Sequence, residues 1–287
     1  MTVLNINDVQ KRYRSAPALC GVTLSLKEGY VMGIVGPNGA GKTTLIKAIL
    51  DLVRLDAGSI EVFDMDHRKS QRSVRDRIGF VHEESYLYEM VNLGDVERIA
   101  SSAYTRWKPD TFAHYVARFE LPARKRVKEY SKGMKMRLSV AVALSHQAEL
   151  IVMDEPSSGL DPIVRRDLID VIGEELAKEH RSFLISTHIT SDLDRIADFV
   201  VVLDRGQVRL SVTRDELSDT YALCKGGRDL LAGESNGCFI GVRENEYGFT
   251  ALTSERGEVA RRFGDAVVLE RASIEDLMVH TLQGGDR

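Results

Sequence analysis

Residues 30–50 constrain the fold more than any other stretch of the chain. The apolar run Tyr30-Val-Met-Gly-Ile-Val35 breaks into Gly36-Pro37-Asn38-Gly39-Ala40-Gly41-Lys42-Thr43-Thr44, then resumes with helical spacing as Leu45-Ile-Lys-Ala-Ile-Leu50. A strand, a turn matching G-x-x-x-x-G-K-[ST] and a helix, in that order, form a phosphate-binding unit. The glycines let successive backbone N–H groups curl toward a β-phosphate. The helix N-terminus adds partial positive charge. Lys42 is placed to reach β- and γ-phosphates and the Thr43 hydroxyl to ligate Mg²⁺.

Four more apolar runs repeat the strand signal: Ile78–Val81, Leu150–Met153, Phe183–Ser186 and Phe199–Leu203. Continuous apolar runs of this length suit a sheet covered on both faces. Helical patterns lie between them. One opens at Asp161-Pro162, a cap followed by proline at the first helical position, and continues through Val164, Leu168, Val171 and Leu176. Strands alternating with helices predict an α/β fold with a parallel-rich sheet. The strand signal vanishes across about residues 85–145, which read as an inserted helical subdomain carrying Trp107, Phe112, Tyr115 and Phe119.

The main domain is expected to span 1–208, followed by a small α+β C-terminal domain over 209–287. All of the net charge of −4 falls in that second segment, which holds 10 basic and 14 acidic residues. A neutral main domain lacks the electrostatic footprint of a nucleic-acid binder. Within the tail, Cys238–Val242 and Ala266–Glu270 read as strands. Ser273 and Asp276 read as a helix start, with Leu277, Met278 and Leu282 as its apolar face. Glycine pairs at 226–227 and 284–285 and a turn at Ser235-Asn236-Gly237 punctuate it. The three cysteines, Cys20, Cys224 and Cys238, have no metal spacing and suggest a reducing compartment. No secretory signal or membrane-spanning run is visible, so work at a membrane requires another chain to supply the span.

A second constellation lies at the end of Leu150–Met153. Asp154 and Glu155 sit at the C-terminal edge of that strand, where open parallel sheets bind ligands. Asp154 suits Mg²⁺, and Glu155 suits polarisation of a water attacking the γ-phosphate. Further segments complete the set: Tyr13, Glu83 in Phe80-Val-His-Glu-Glu84, Tyr130-Ser131-Lys132-Gly133-Met134, Ser158-Gly-Leu-Asp161, and His188 after Ile185-Ser-Thr.

Together, in this order, these motifs closely resemble the ATP-binding subunits of ABC transporters over about residues 2–208. The resemblance is closest to bacterial exporter subunits with a short ATPase chain and a separate permease, the YtrB-like and sodium-export-like groups. It implies that Tyr13 stacks on adenine and that Glu83 joins Thr43 and Asp154 at Mg²⁺. Ser131 and Gly133 would serve the nucleotide of an opposite subunit, and His188 would hold the γ-phosphate. Asp161 would link the two sites, cap a helix, or do both. It further implies ATP hydrolysis and an ATP-dependent dimer with itself or a paralogous subunit. A separate polytopic membrane permease at the cytoplasmic face of the plasma membrane would be its partner.

Lys132 and Met134 depart from the family's Leu-Ser-Gly-Gly-Gln signature, and Glu83 stands where glutamine is common. Tyr86-Leu-Tyr88 and Met90 fall where the permease's coupling helix docks in that family. Two basic runs, 67–77 and 124–128, read as solvated faces or as contacts to lipid head groups or a permease loop. The alternative reading is a soluble ABC-type ATPase acting on nucleic acid or ribosomes. Such chains carry a long insertion or two ATPase units, whereas only 112 positions separate Lys42 from Asp154 here. A GTPase is disfavoured because no Asn-Lys-x-Asp motif occurs.

Overall fold

The chain begins with two twelve-residue strands, β1 (Thr2–Tyr13) and β2 (Ala16–Lys27), paired antiparallel. The computed structural model describes residues 1–14, 16–84, 86–178, 181–231 and 237–284. β3 (Val31–Val35) runs through the phosphate loop into α1 (Lys42–Ile49). β4 (Ala57–Val62) and β5 (Met65–Asp66) complete an antiparallel sheet of order β2-β1-β4-β5, and α2 (Gln71–Arg75) leads to β6 (Ile78–His82). Three helices follow: α3 (Leu93–Ala103), α4 (Pro109–Arg118) and α5 (Lys132–Ser145). They occupy the stretch expected to be helical. Then β7 (Leu150–Asp154), α6 (Pro162–Leu176), β8 (Ser182–Thr187), α7 (Thr190–Ile196), β9 (Phe199–Asp204) and β10 (Gln207–Thr213) close the central sheet.

Its order is β10-β9-β3-β8-β7-β6, with β9, β3, β8, β7 and β6 parallel and β10 antiparallel to β9. The five apolar runs are these parallel strands. Every residue of β3, β7 and β8 is buried, as expected for strands with both faces covered. Leu45, Ile46 and Ile49 of α1 pack on one side, with the antiparallel sheet beyond them. Fully burying each such side chain contributes about 1.5–3 kcal/mol. On the other side α5, α6 and α7 share a core with Val35, Val81, Met153 and Ile185. A buried polar knot fastens α4 to α6: the Tyr115 hydroxyl donates to Glu175, which also pairs with Arg181 and Lys178. An unpaired buried carboxylate there would be costly, so these partners act as a set.

The boundary expected at 208/209 falls inside β10, because that strand stays paired with β9 as far as Thr213. Beyond it come α8 (Arg214–Asp219), β11 (Ala222–Gly226), β12 (Ile240–Asn245), β13 (Gly248–Thr253), α9 (Arg256–Phe263), β14 (Val267–Arg271) and α10 (Ile274–Gly284). The strands form an antiparallel sheet of order β12-β13-β11-β14. The expected cap of α10 is present: Asp276 N–H donates to Ser273 Oγ at 3.1 Å, and Ser273 N–H returns to Asp276 Oδ2 at 3.0 Å. Leu277 is fully buried, and Met278 and Leu282 pack against the same core. Ile274 N–H donates to Asp194 Oδ1 of α7 at 3.1 Å, which seats α10 on the central unit. Gly285 and the expected turn residues Ser235 and Asn236 lie outside the described residues. No helix among the described residues is long and apolar enough to cross a membrane.

Candidate functional site

Main-chain atoms from three segments shape the phosphate loop. A β-carbon at Gly36 would stand 2.1 Å from the Leu203 carbonyl oxygen of β9. At Gly41, where φ is +109°, it would stand 2.6 Å from the Ala18 carbonyl oxygen of β2. Gly206 N–H donates to Ala40 O at 2.8 Å and ties the loop to the β9–β10 turn. Gly39 also has positive φ, +80°, but a β-carbon there would meet nothing within 4 Å. Pro37 and Asn38 complete the turn. Lys42, Thr43 and Thr44 form the first turn of α1, whose orphan N–H groups face the loop. The Lys42 ammonium is buried. It donates to Gly36 O at 2.7 Å and Pro37 O at 3.3 Å, and lies 3.5 Å from Glu155 Oε1.

Strand register lines up the acid site. His82 and Asp154 end β6 and β7, Ser186 is the penultimate residue of β8, and the three pair directly across the sheet. Asp154 is buried, with Oδ1 accepting from the Ser186 hydroxyl. His82 Nδ1 lies 3.0 Å from Glu84 N and 3.2 Å from Glu84 O, and Nε2 lies 3.7 Å from Asp154 Oδ2. One residue later the backbone of Glu155 turns left-handed, φ +51°, and its N–H donates to Ser186 O at 2.9 Å. Its carboxylate lies between Lys42 and His188. His188 approaches Glu155 Oε2 with its N–H at 3.2 Å and Nδ1 at 2.7 Å. A carboxylate only accepts, so Nδ1 carries a proton. Lys42, Glu155 and His188 therefore form one contiguous cluster beside the loop, with Asp154 adjoining.

The remaining candidates form a second group. Ser131 is the N-cap of α5, its Oγ accepting from Met134 N–H at 3.2 Å. Gly133 lies against Val164 of α6, where a β-carbon would be 3.3 Å from both Val164 methyls. Asp161 caps α6 through bonds of 3.0 Å to the N–H groups of Ile163 and Val164. Glu83 N–H donates to Asp154 O at 2.9 Å, and its Oε1 accepts from Lys132 Nζ at 3.0 Å and Ser158 Oγ at 2.8 Å. The Lys132 ammonium and then the Ser158 hydroxyl hold the Glu83 carboxyl below the usual carboxylate range. Tyr13 is half-exposed at the end of β1, with the Lys11 ammonium 5.3 Å from its ring centroid. It pairs with Ala16, two residues before the Ala18 carbonyl that abuts Gly41.

Sequence reasoning quoted His82, Ser158 and Ser186 within motif segments but gave them no role, and it missed the partnership of Lys132 with Glu83. Only strand register reveals the places of His82 and Ser186, because their pairing with Asp154 requires knowing which strands are neighbours. Among the described residues no three His, Cys, Asp or Glu side chains form a metal cage. The donors in place are the Thr43 hydroxyl and the Asp154 carboxylate. Both are hard oxygen ligands, a set that suits Mg²⁺ completed by phosphate oxygens and water.

Comparison with known proteins gives a consistent picture. The pattern of the family described as ABC transporter matches residues 19–158. The daunorubicin resistance ATP-binding protein DrrA3 of Streptomyces coeruleorubidus is 36% identical over 224 residues, covering 75% of this chain and 70% of its own. The bacitracin transport ATP-binding protein BcrA of Bacillus licheniformis is 32% identical over 222 residues, covering 75% and 71%. A solved ATP-binding subunit of an ABC transporter superposes with TM-score 0.69 at 28% identity, covering 75% of this chain and 91% of that one.

Proposed function

The chain belongs to the family of ATP-binding subunits of ABC transporters, and on that premise we propose that it binds and hydrolyses ATP to drive a separate membrane permease that exports its cargo. The observation that carries this is the Lys42–Glu155–His188 cluster on the phosphate loop. The loop N–H groups and Lys42 hold the β- and γ-phosphates. Glu155, released from Lys42 as phosphate takes over that cation, accepts a proton from the attacking water. His188 keeps Glu155 aimed and is itself placed to hydrogen-bond the γ-phosphate. Mg²⁺, when bound through Thr43 and Asp154, would neutralise phosphate charge, and Glu83, which the resemblance placed at Mg²⁺, stays with Lys132 and Ser158 instead. Tyr13 stacks on the adenine.

Two such chains, or this chain and a paralogue, close over two ATP molecules, with Ser131 and Gly133 at the nucleotide of the opposite subunit. The central unit is the motor, and residues from 214 onward form an accessory unit seated on α7. The permease docks at a cleft of about 500 Å³ between the α1–α2 region and the helical subdomain, lined by Leu52, Phe80 and Tyr104. Beside it stand the exposed Tyr86, Tyr88 and Met90, with Tyr86 stacked on Phe80. Docking there places the chain on the cytoplasmic face of the membrane. The relatives' names favour transport over nucleic acid as the purpose of hydrolysis.

ATP affinity and turnover, measured side by side, test the proposal. Lys42→Ala loses ATP binding. Glu155→Gln keeps ATP binding, loses about 10²–10⁴-fold in turnover, and dimerises with ATP in light scattering, which Ser131→Arg blocks. Wild-type turnover in Glu155→Gln overturns the assignment of that residue. A stable dimer without ATP overturns the nucleotide-gated assembly.

A further inference from the structure

Two charged side chains that the mechanism above leaves paired with each other lie 49 positions apart and meet at 3.0 Å: Glu83 after β6 and Lys132 at the first position of α5. Three segments converge on this contact. Glu83 is hydrogen-bonded through its backbone to Asp154 O, so it moves with the strand end that carries the acid pair. Its Oε1 also accepts from Ser158, in the loop that follows Glu155. Lys132 lies between Ser131 and Gly133, the residues assigned to the opposite subunit's nucleotide. The lysine runs over Gly159, where φ is +66° and a β-carbon would fall 2.9 Å from Nζ and 3.6 Å from Cδ and Cε. The bare glycine is the seat of the ammonium group, so any side chain at 159 would displace it. The contact therefore ties the start of α5, the end of β6 and the 155–159 loop together at one point.

We propose that Glu83 and Lys132 act as a positioning pair that fixes the α5 N-terminus, with Ser131 and Gly133, in register with Asp154 and Glu155. This rests on the ATPase reading above. Neither residue contacts Lys42, so the pair acts on the alignment of the two half-sites and not on the chain's own phosphate loop. The two side chains are 38% and 44% exposed, so salt screens their attraction and each single loss is modest.

The test is a double-mutant cycle in ATP turnover by the full chain, with Glu83→Gln, Lys132→Gln and the double variant. Each variant is checked for folding by circular dichroism. Each single substitution is expected to lower kcat about two- to five-fold while KM for ATP stays within about two-fold. The double variant is expected to be no worse than the poorer single, and the coupling to fade at about 1 M salt. Lys132→Arg, which keeps the charge, retains kcat within about two-fold. If the single effects multiply independently in the double variant, or if KM moves and kcat does not, the pair has no positioning role. A parallel Lys42→Ala arm separates the two claims. Wild-type turnover in that variant sinks the ATPase reading. An inactive Lys42→Ala beside an uncoupled cycle overturns the pair alone.

Discussion

Gly36 and Gly39 stand three residues apart in one loop, yet alanine at the two positions should fail for different reasons. At 36 the new β-carbon lands 2.1 Å from the Leu203 carbonyl oxygen and 3.2 Å from the Ala40 β-carbon. Carbon–oxygen contacts of about 3.3 Å are normal, so the loop and β9 must part by roughly 1 Å. β9 is buried between β3 and β10, and a main-chain oxygen cannot swing aside as a side chain can. Overpacking of this kind costs about 3 kcal/mol, the upper end of the usual range. At 39 there is open space, and only the positive φ of +80° is unfavourable. An alanine forced into that conformation costs about 1 kcal/mol, and asparagine, which tolerates it, costs less. For a chain of this size each kcal/mol moves the melting temperature by about 2–4 °C. Gly36→Ala should therefore melt roughly 6–12 °C below wild type, and Gly39→Ala about 2–4 °C below. Asparagine should rescue position 39 and fail at 36. Differential scanning calorimetry without nucleotide measures all four variants. Gly36→Ala melting within about 1 °C of wild type, or above Gly39→Ala, would show that the loop is not moulded by β9 as described.

Ser186→Ala leaves the buried Asp154 carboxylate short of a donor, with an expected loss of about 1–3 kcal/mol in denaturant unfolding and lower Mg²⁺-dependent turnover. Burial raises the Glu149 carboxyl, but hydrogen bonds and charge from Arg77 and Arg106 outweigh it and hold the group below the usual carboxylate range. A lowered carboxyl stabilises the fold above its unfolded pKa of about 4.3, and that contribution fades as pH falls through the lowered value. Arg106→Gln should accordingly move the acid-unfolding midpoint to higher pH, and an unchanged midpoint would remove Glu149 from the acid limb. Burial pushes the Cys224 thiol up to about 11. Alkylation at pH 8 should therefore modify the partly exposed Cys20 and Cys238 well before Cys224, as peptide mapping will show.

What was legible in the sequence follows from how each element is buried. β3, β6, β7, β8 and β9 announce themselves because a strand covered on both faces has little room for polar residues. β1 does not, because its alternation is broken: register shifts interrupt its pairing with β2 between Ile6 and Val9, and Asp8 takes a positive φ of 45°. β11 and β13 escaped notice because Ala222–Gly226 and Gly248–Thr253 are short and mix small with polar residues. Within the site, Lys42, Asp154, Glu155 and His188 could be named one by one, since each sits at a strand or loop end with telling neighbours. Their contacts could not. That Glu155 bridges Lys42 and His188, or that Glu83 meets Lys132, depends on sheet order and on the left-handed turn at Glu155.

The phosphate loop takes its shape from carbonyl oxygens, those of Ala18 and Leu203, and from the amide of Gly206. Every amino acid except proline presents the same amide and carbonyl, so positions 18 and 203 can change side chain without altering the surface that the loop rests on. The glycines pressed against those atoms have no such latitude. Saturation mutagenesis should therefore read as a strongly one-sided map, with Gly36 and Gly41 nearly invariant and their contact residues on β2 and β9 tolerant of any substitution the surrounding core accepts. Drift in the supporting strands can then proceed for long periods without reaching the nucleotide.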